Sequence, residues 1–138
     1  MRPPTELVDA FRAQGLKITP QRQLLFRLLH ENTAHPTADA LFAQASAQMP
    51  GISLRTVYQT LSDLAAMGEL AQVSFDSGPA HFDPNVADHH HAVCDECGAI
   101  LDVYVDGADQ LAIDGLAGFH PASTSIVFHG RCATCAAP

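Results

Sequence analysis

Met49-Pro50-Gly51-Ile52-Ser53-Leu54-Arg55-Thr56-Val57-Tyr58-Gln59-Thr60-Leu61 ends one helix and begins another within a few residues. Pro50-Gly51 stops the helix before it, and Ser53 supplies the side-chain oxygen that caps the helix after it. Leu54, Val57, Leu61 and Leu64 are expected to face inward on that second helix, with Gly68 at its C-terminal end. Upstream, Thr37 caps a helix whose expected buried face is Leu41, Phe42, Ala45 and Met49. Helix, tight turn, helix is the order of a helix-turn-helix. A first helix is expected over about residues 4–14, ending at Gly15. Thr19-Pro20 starts the next, with Leu24, Leu25, Leu28 and Leu29 as its apolar stripe. Downstream, Glu69 to Phe75 and Ala80 to Phe82 are short strand candidates around the turn Asp76-Ser77-Gly78-Pro79. Helices followed by a hairpin describe a winged helix.

The helix from Leu54 leaves Arg55, Thr56, Gln59, Thr60 and Ser62 outward, with Tyr58 at the margin of the apolar face. Arg, Gln and Thr near a helix N-terminus suit the reading of base edges, and a Tyr hydroxyl suits phosphate. A solvated outer face is the competing reading. The hairpin that follows, which completes a winged helix, favours the first. The whole chain is acidic, at −8, but residues 1–62 carry six basic residues against four acidic ones. Residues 63–138 carry only Arg131 against eleven acids. A mildly basic half joined to a strongly acidic one suits a DNA-facing domain and a separate sensing or assembly domain.

That second half holds all four cysteines, as Cys94-Asp95-Glu96-Cys97 and Cys132-Ala133-Thr134-Cys135. Residues 1–20 include Arg2, Glu6, Asp9, Arg12 and Lys17 and no apolar run of signal or membrane length, so a cytoplasmic protein without a membrane partner is expected. Reduced thiols in paired CxxC spacing then favour a structural Zn2+ held by Cys94, Cys97, Cys132 and Cys135 over two disulfides or a redox pair. The 34 residues between the pairs require a small fold in the gap. Just before the first pair, His89 and His91 share one face of an extended segment, and Asp88 and His90 share the other. His35, held by Pro36, is expected in an extended loop.

Ile18-Thr19-Pro20-Gln21-Arg22, Ala34-His35-Pro36-Thr37-Ala38, Ser53 to Leu61 around Thr56-Val57-Tyr58, Asp88-His89-His90-His91-Ala92-Val93-Cys94 and both CxxC pairs occur in one order along the chain. In this the chain resembles the ferric uptake regulator family of metal-dependent repressors, and its peroxide-sensing branch most. The resemblance implies an α+β chain with a winged helix-turn-helix domain over 1–83, a hinge and metal-ligand segment over 84–91, and a small α/β dimerisation and zinc-binding domain over 92–138. Strand candidates Ile100 to Val105 and Ser125 to Phe128, around a helical stretch near Ala108 to Leu116, are compatible with that last domain.

The resemblance further implies a homodimer on a palindromic double-stranded DNA operator, contacted through Arg22, Arg55, Thr56, Tyr58 and Gln59. It implies a regulatory site of His35, Asp83, His89, His91 and Asp102 for Fe2+ or Mn2+, with His35 and His89 as the oxidation-sensitive histidines. Two aspartates in that set mark the peroxide-sensing branch, and an N3O2 set suits Fe2+ or Mn2+ better than thiolate-loving Zn2+. An additional metal site of Asp88, His90 and Asp109 would lack one usual ligand, because Thr124 stands where the family often has histidine. Iron- or manganese-level sensing with the same ligands is the alternative. A metalloenzyme using His89, His91 and a carboxylate is a further rival, but no HExxH, phosphate loop or nucleophile elbow accompanies it. A metal store would leave the outward Arg55, Tyr58 and Gln59 unexplained.

Overall fold

The computed structural model describes residues 1–75 and 78–138, in two compact units, Met1–Val86 and Ala87–Pro138. The first unit runs α1 (Pro4–Ala13), α2 (Pro20–Leu29), α3 (Ala38–Gln48), α4 (Leu54–Ala66), then an antiparallel hairpin of β1 (Ala71–Val73) and β2 (His81–Asp83). Each of α2, α3 and α4 starts at a side-chain cap. Thr19, Thr37 and Ser53 accept from the backbone N–H of Arg22, Ala40 and Thr56, which satisfies donors that the first helical turn leaves without a partner. Replacing Ser53 by Ala is expected to lower stability by about 1 kcal/mol in chemical denaturation. An unchanged midpoint would show that the cap contributes nothing at the head of α4.

The core of this unit is where the helical stripes meet: Leu7 and Phe11 of α1, Leu24, Leu25, Phe26 and Leu29 of α2, Leu41 of α3, and Val57, Leu61 and Leu64 of α4. Phe11 and Phe26 pack edge to face with ring centroids 4.8 Å apart, a favoured aromatic geometry. Two expectations about α4 are corrected. Leu54 is exposed, because as the first helical residue it has no preceding turn to fold against. Thr60 is fully buried, not outward. It sits inside the stripe Val57, Thr60, Leu61, Leu64, and its hydroxyl donates to the Thr56 carbonyl at 2.8 Å, so its burial leaves no orphaned polar group. Of the expected hairpin turn, Asp76 and Ser77 lie outside the described residues.

In the second unit β3 (His90–Cys94) is the central strand, antiparallel to β4 (Ile100–Val103) and parallel to β5 (Val127–Gly130). A short helix, α5 (Ala133–Ala136), carries Cys135. The helix expected near Ala108 to Leu116 is reduced to a single 3-10 turn, Ala108–Gln110. Gly107, Gly115 and Gly118 all take positive φ, at 77°, 97° and 76°, and a right-handed helix does not pass through that region. Buried apolar side chains of this unit are few, Cys94 and Ile100 among the described residues. No helix among the described residues is long and apolar enough to cross a membrane.

Candidate metal centres and nucleic-acid interface

The cysteine cluster is built by two turns of the second unit. Cys94 ends β3, and Gly98, at φ 76°, turns the chain so that the Cys94 N–H bonds the Ala99 carbonyl and Cys97 folds back. Cys132 caps α5, placing Cys135 one turn later on the same side. The cross-link between the two turns is Arg131, whose Nε donates to Glu96 at 2.8 Å and whose Nη2 donates to the Cys135 carbonyl. All four Sγ atoms lie within 4.8 Å of one another, and Cys97 and Cys132 are 3.7 Å apart. That separation is far too long for a disulfide. It matches the edge of a tetrahedron with Zn–S bonds of about 2.3 Å, which is about 3.8 Å.

The protonation chemistry agrees. N–H groups of Cys97 and Cys132 directed at Cys94 lower its thiol to about 6, whereas the Cys132 and Cys97 sulfurs beside Cys135 push that thiol up to about 12. Four such sulfurs do not all ionise side by side without a cation among them. The donor set therefore fits Zn2+, which would be held by all four cysteines.

The histidine and aspartate candidates fall into two groups, one in each unit. In the first, His35 and Asp83 are both buried, and His35 Nε2 lies 3.2 Å from Asp83 Oδ2. The main chain at His35 departs from the expected extended form: its φ is +50°. This left-handed conformation is costly for most L residues, though His is among those more often found there. Its carbonyl accepts from His81 Nδ1 at 2.7 Å, and the Phe82 N–H bonds the Pro36 carbonyl, so β2 holds the turn that carries His35. His81 is a hydrogen-bonded imidazole that supports the turn and is not among the clustered ligands. Its spacing of two from Asp83 on a strand puts both on one face.

In the second unit His91 pairs directly with Asp102 across β3 and β4, and His89 precedes the strand by one residue. The Nε2 atoms of His89 and His91 lie 3.0 and 3.6 Å from Asp102 Oδ1, with the two rings 4.6 Å apart. His89 Nδ1 lies 2.6 Å from the Ala87 carbonyl, an arrangement in which Nδ1–H donates and Nε2 keeps its lone pair for a cation. The alternation across the strand is as expected: His90 faces away, and its Nδ1 accepts from the Ile126 N–H at 3.0 Å. Asp88, His90 and Asp109 line one open cavity of about 570 Å³ with Thr124. Among the described residues their ligand atoms form no cluster.

On α4, Arg55, Tyr58 and Gln59 are exposed and Thr56 is half-buried. Arg22 does not join them. Its Nη2 donates to Asp63 Oδ2 at 3.1 Å, its Nη1 to the Lys17 carbonyl at 2.6 Å, and its guanidinium lies over the Phe11 ring at 5.4 Å. The side chain is 15% exposed. An arginine so engaged ties α2 to α4 and to the Phe11 ring of α1, away from the exposed group Arg55, Tyr58 and Gln59.

The ferric uptake regulator family model matches residues 13–129. The chain belongs to the ferric uptake regulator family. It is 32% identical over 133 residues to the peroxide operon regulator of Bacillus subtilis, a match covering 94% of this chain and 91% of that one. The peroxide-responsive repressor of Staphylococcus epidermidis is likewise 32% identical over 133 residues, covering 94% of this chain and 88% of that protein. Among solved structures, the peroxide stress regulator of Campylobacter jejuni superposes with a TM-score of 0.65 at 25% identity, covering 98% of this chain and 100% of that one. These family members are named as regulators rather than enzymes. The α+β architecture, winged helix first and cysteine-bearing sheet second, is that of the family.

Proposed function

We propose that this family member is a homodimeric transcriptional repressor whose operator binding requires a regulatory Fe2+ or Mn2+, and that peroxide relieves repression by oxidising a ligand histidine. The observation that carries the reading is the convergence of His89, His91 and Asp102 on one point, with a second imidazole–carboxylate pair, His35 and Asp83, in the other unit. Neutral imidazole and carboxylate donors suit Fe2+ and Mn2+. One ion shared by both groups would draw the α4-bearing unit and the sheet-bearing unit into a fixed relation, setting the spacing of two α4 helices on a palindromic operator. Residues Arg55, Thr56, Tyr58 and Gln59 contact the DNA in this reading.

The dimer reading has support of its own. Leu101 of β4 and Phe128 of β5 flank Ala92 of β3 at one level of the sheet, and both are about half exposed, at 52% and 49%. An apolar strip of this kind suits burial against a second copy. Replacing Arg55 and Tyr58 together by Ala is expected to abolish operator binding in a mobility-shift titration while metal uptake stays unchanged. A double variant that binds its operator normally would place the interface elsewhere.

His35, Asp83, His89, His91 and Asp102 would hold the ion, and Fe2+ there would supply the electrons that reduce H2O2 beside the imidazoles. His35 and His89 are the residues that take up oxygen, and an oxidised imidazole no longer serves as a ligand. Peptide mass spectrometry on anaerobically Fe2+-loaded protein after brief H2O2 exposure is expected to show one added oxygen on the peptide bearing His35 or His89, and none in a Mn2+ control. Unmodified histidines in iron-loaded protein would make the protein a sensor of metal level instead.

A further inference from the structure

We infer that Asp63 is a specificity-determining residue, which sets the base preference of α4 by fixing which end of the Gln59 side-chain amide faces outward. The inference rests on α4 being the DNA-contacting helix. Gln59 and Asp63 stand one turn apart on the same face, and Gln59 Nε2 donates to Asp63 Oδ1 at 3.1 Å. A carboxylate accepts and never donates, so it selects the amino end of the amide and turns Oε1 away from itself. Asp63 is held in turn, because its other oxygen accepts from Arg22 Nη2 at 3.1 Å. Arg22 is anchored by the Lys17 carbonyl at 2.6 Å and by the Phe11 ring. With the side chains of Arg22 and Asp63 only 15% and 16% exposed, the bond between them is sheltered.

A free glutamine reads adenine with both ends of its amide. A glutamine that gives one amino hydrogen to Asp63 keeps the second and turns Oε1 outward, so it offers an acceptor to the bases that carry a major-groove amino group, adenine at N6 and cytosine at N4. Asp63→Asn is the informative change. Arg22 has only donors, so it takes the Asn oxygen and leaves the Asn amino group toward Gln59. The Gln59 amide then turns over, and its amino end faces the DNA. Preference moves to the bases with a major-groove carbonyl, guanine at O6 and thymine at O4.

The test is selection of bound duplexes from a randomised DNA pool, using full-length protein loaded with Zn2+ and Mn2+. Wild type is expected to enrich a two-fold symmetric motif in which one position per half-site favours an amino-bearing base, by about two- to tenfold, the scale of one hydrogen bond. Asp63→Asn reverses the preference at that position alone, and Gln59→Ala, an exposed change that leaves the Arg22–Asp63 pair in place, abolishes it. A motif identical at every position in wild type and Asp63→Asn overturns the inference and leaves the DNA reading standing, as does a motif unaltered by Gln59→Ala. A wild-type protein that enriches no motif overturns both.

Discussion

Cys97→Ser is expected to remove bound zinc and to unfold residues 87–138. The reason is the small core of that unit. Apart from Cys94, its buried apolar side chains come down to Ile100, while Leu101, Tyr104, Leu111, Ile113, Leu116, Phe119 and Phe128 are all exposed in the single chain. Short β-strands with so little burial do not offset the entropy of ordering the backbone. A four-thiolate zinc supplies the difference, since binding to such a site contributes on the order of 10–16 kcal/mol of folding free energy. Serine keeps the shape and loses the thiolate. Elemental analysis should show zinc lost, and limited proteolysis should cut within 87–138 while α1 to α4 stay protected by their own core. A Cys97→Ser protein that keeps its zinc and its protease resistance would show that the remaining ligands suffice and that the unit is stabilised otherwise.

His35→Ala is expected to erase the metal-dependent gain in operator affinity, a loss of about 5- to 150-fold if the coupling has the usual size for linked sites. The effect should appear in the metal-loaded titration and vanish in the metal-free one, because the variant protein still has every residue of α4. Asp102→Ala, in the other unit, should do the same. Reciprocity requires operator DNA to tighten metal binding by the same factor in wild type and by none in His35→Ala. Full metal-dependent affinity in His35→Ala would remove that residue from the regulatory site. Because His35 sits at φ +50°, a second variant, Asp83→Ala, separates the loss of a ligand from a change in the turn.

What was legible in the chain was what depends on neighbours in sequence. Thr19, Thr37 and Ser53 cap helices because the donors they satisfy lie three residues on. His89 and His91 share a face, with His90 on the other, because a strand alternates. The CxxC pairs signal metal because ligand spacing is itself local. The helix expected near Ala108 to Leu116 is cut to one turn, because Gly107 and Gly115 take positive φ at its two ends.

Sequence alone thus determined the family, the order of the helices in the first unit, and the paired cysteines and the histidines of one strand face as candidate ligands, since motifs and periodicities act over a few residues. Only the tertiary structure decided which side chains are spent inside. Thr60 joins the core because the stripe of α4 meets α2 and α3. Arg22 turns inward because Asp63 and Phe11 converge on it from other helices. His35 adopts a left-handed turn while its carbonyl accepts from His81, 46 residues on. Burial and hydrogen-bond partners arise between residues far apart in the chain, and no local pattern records which of them will meet.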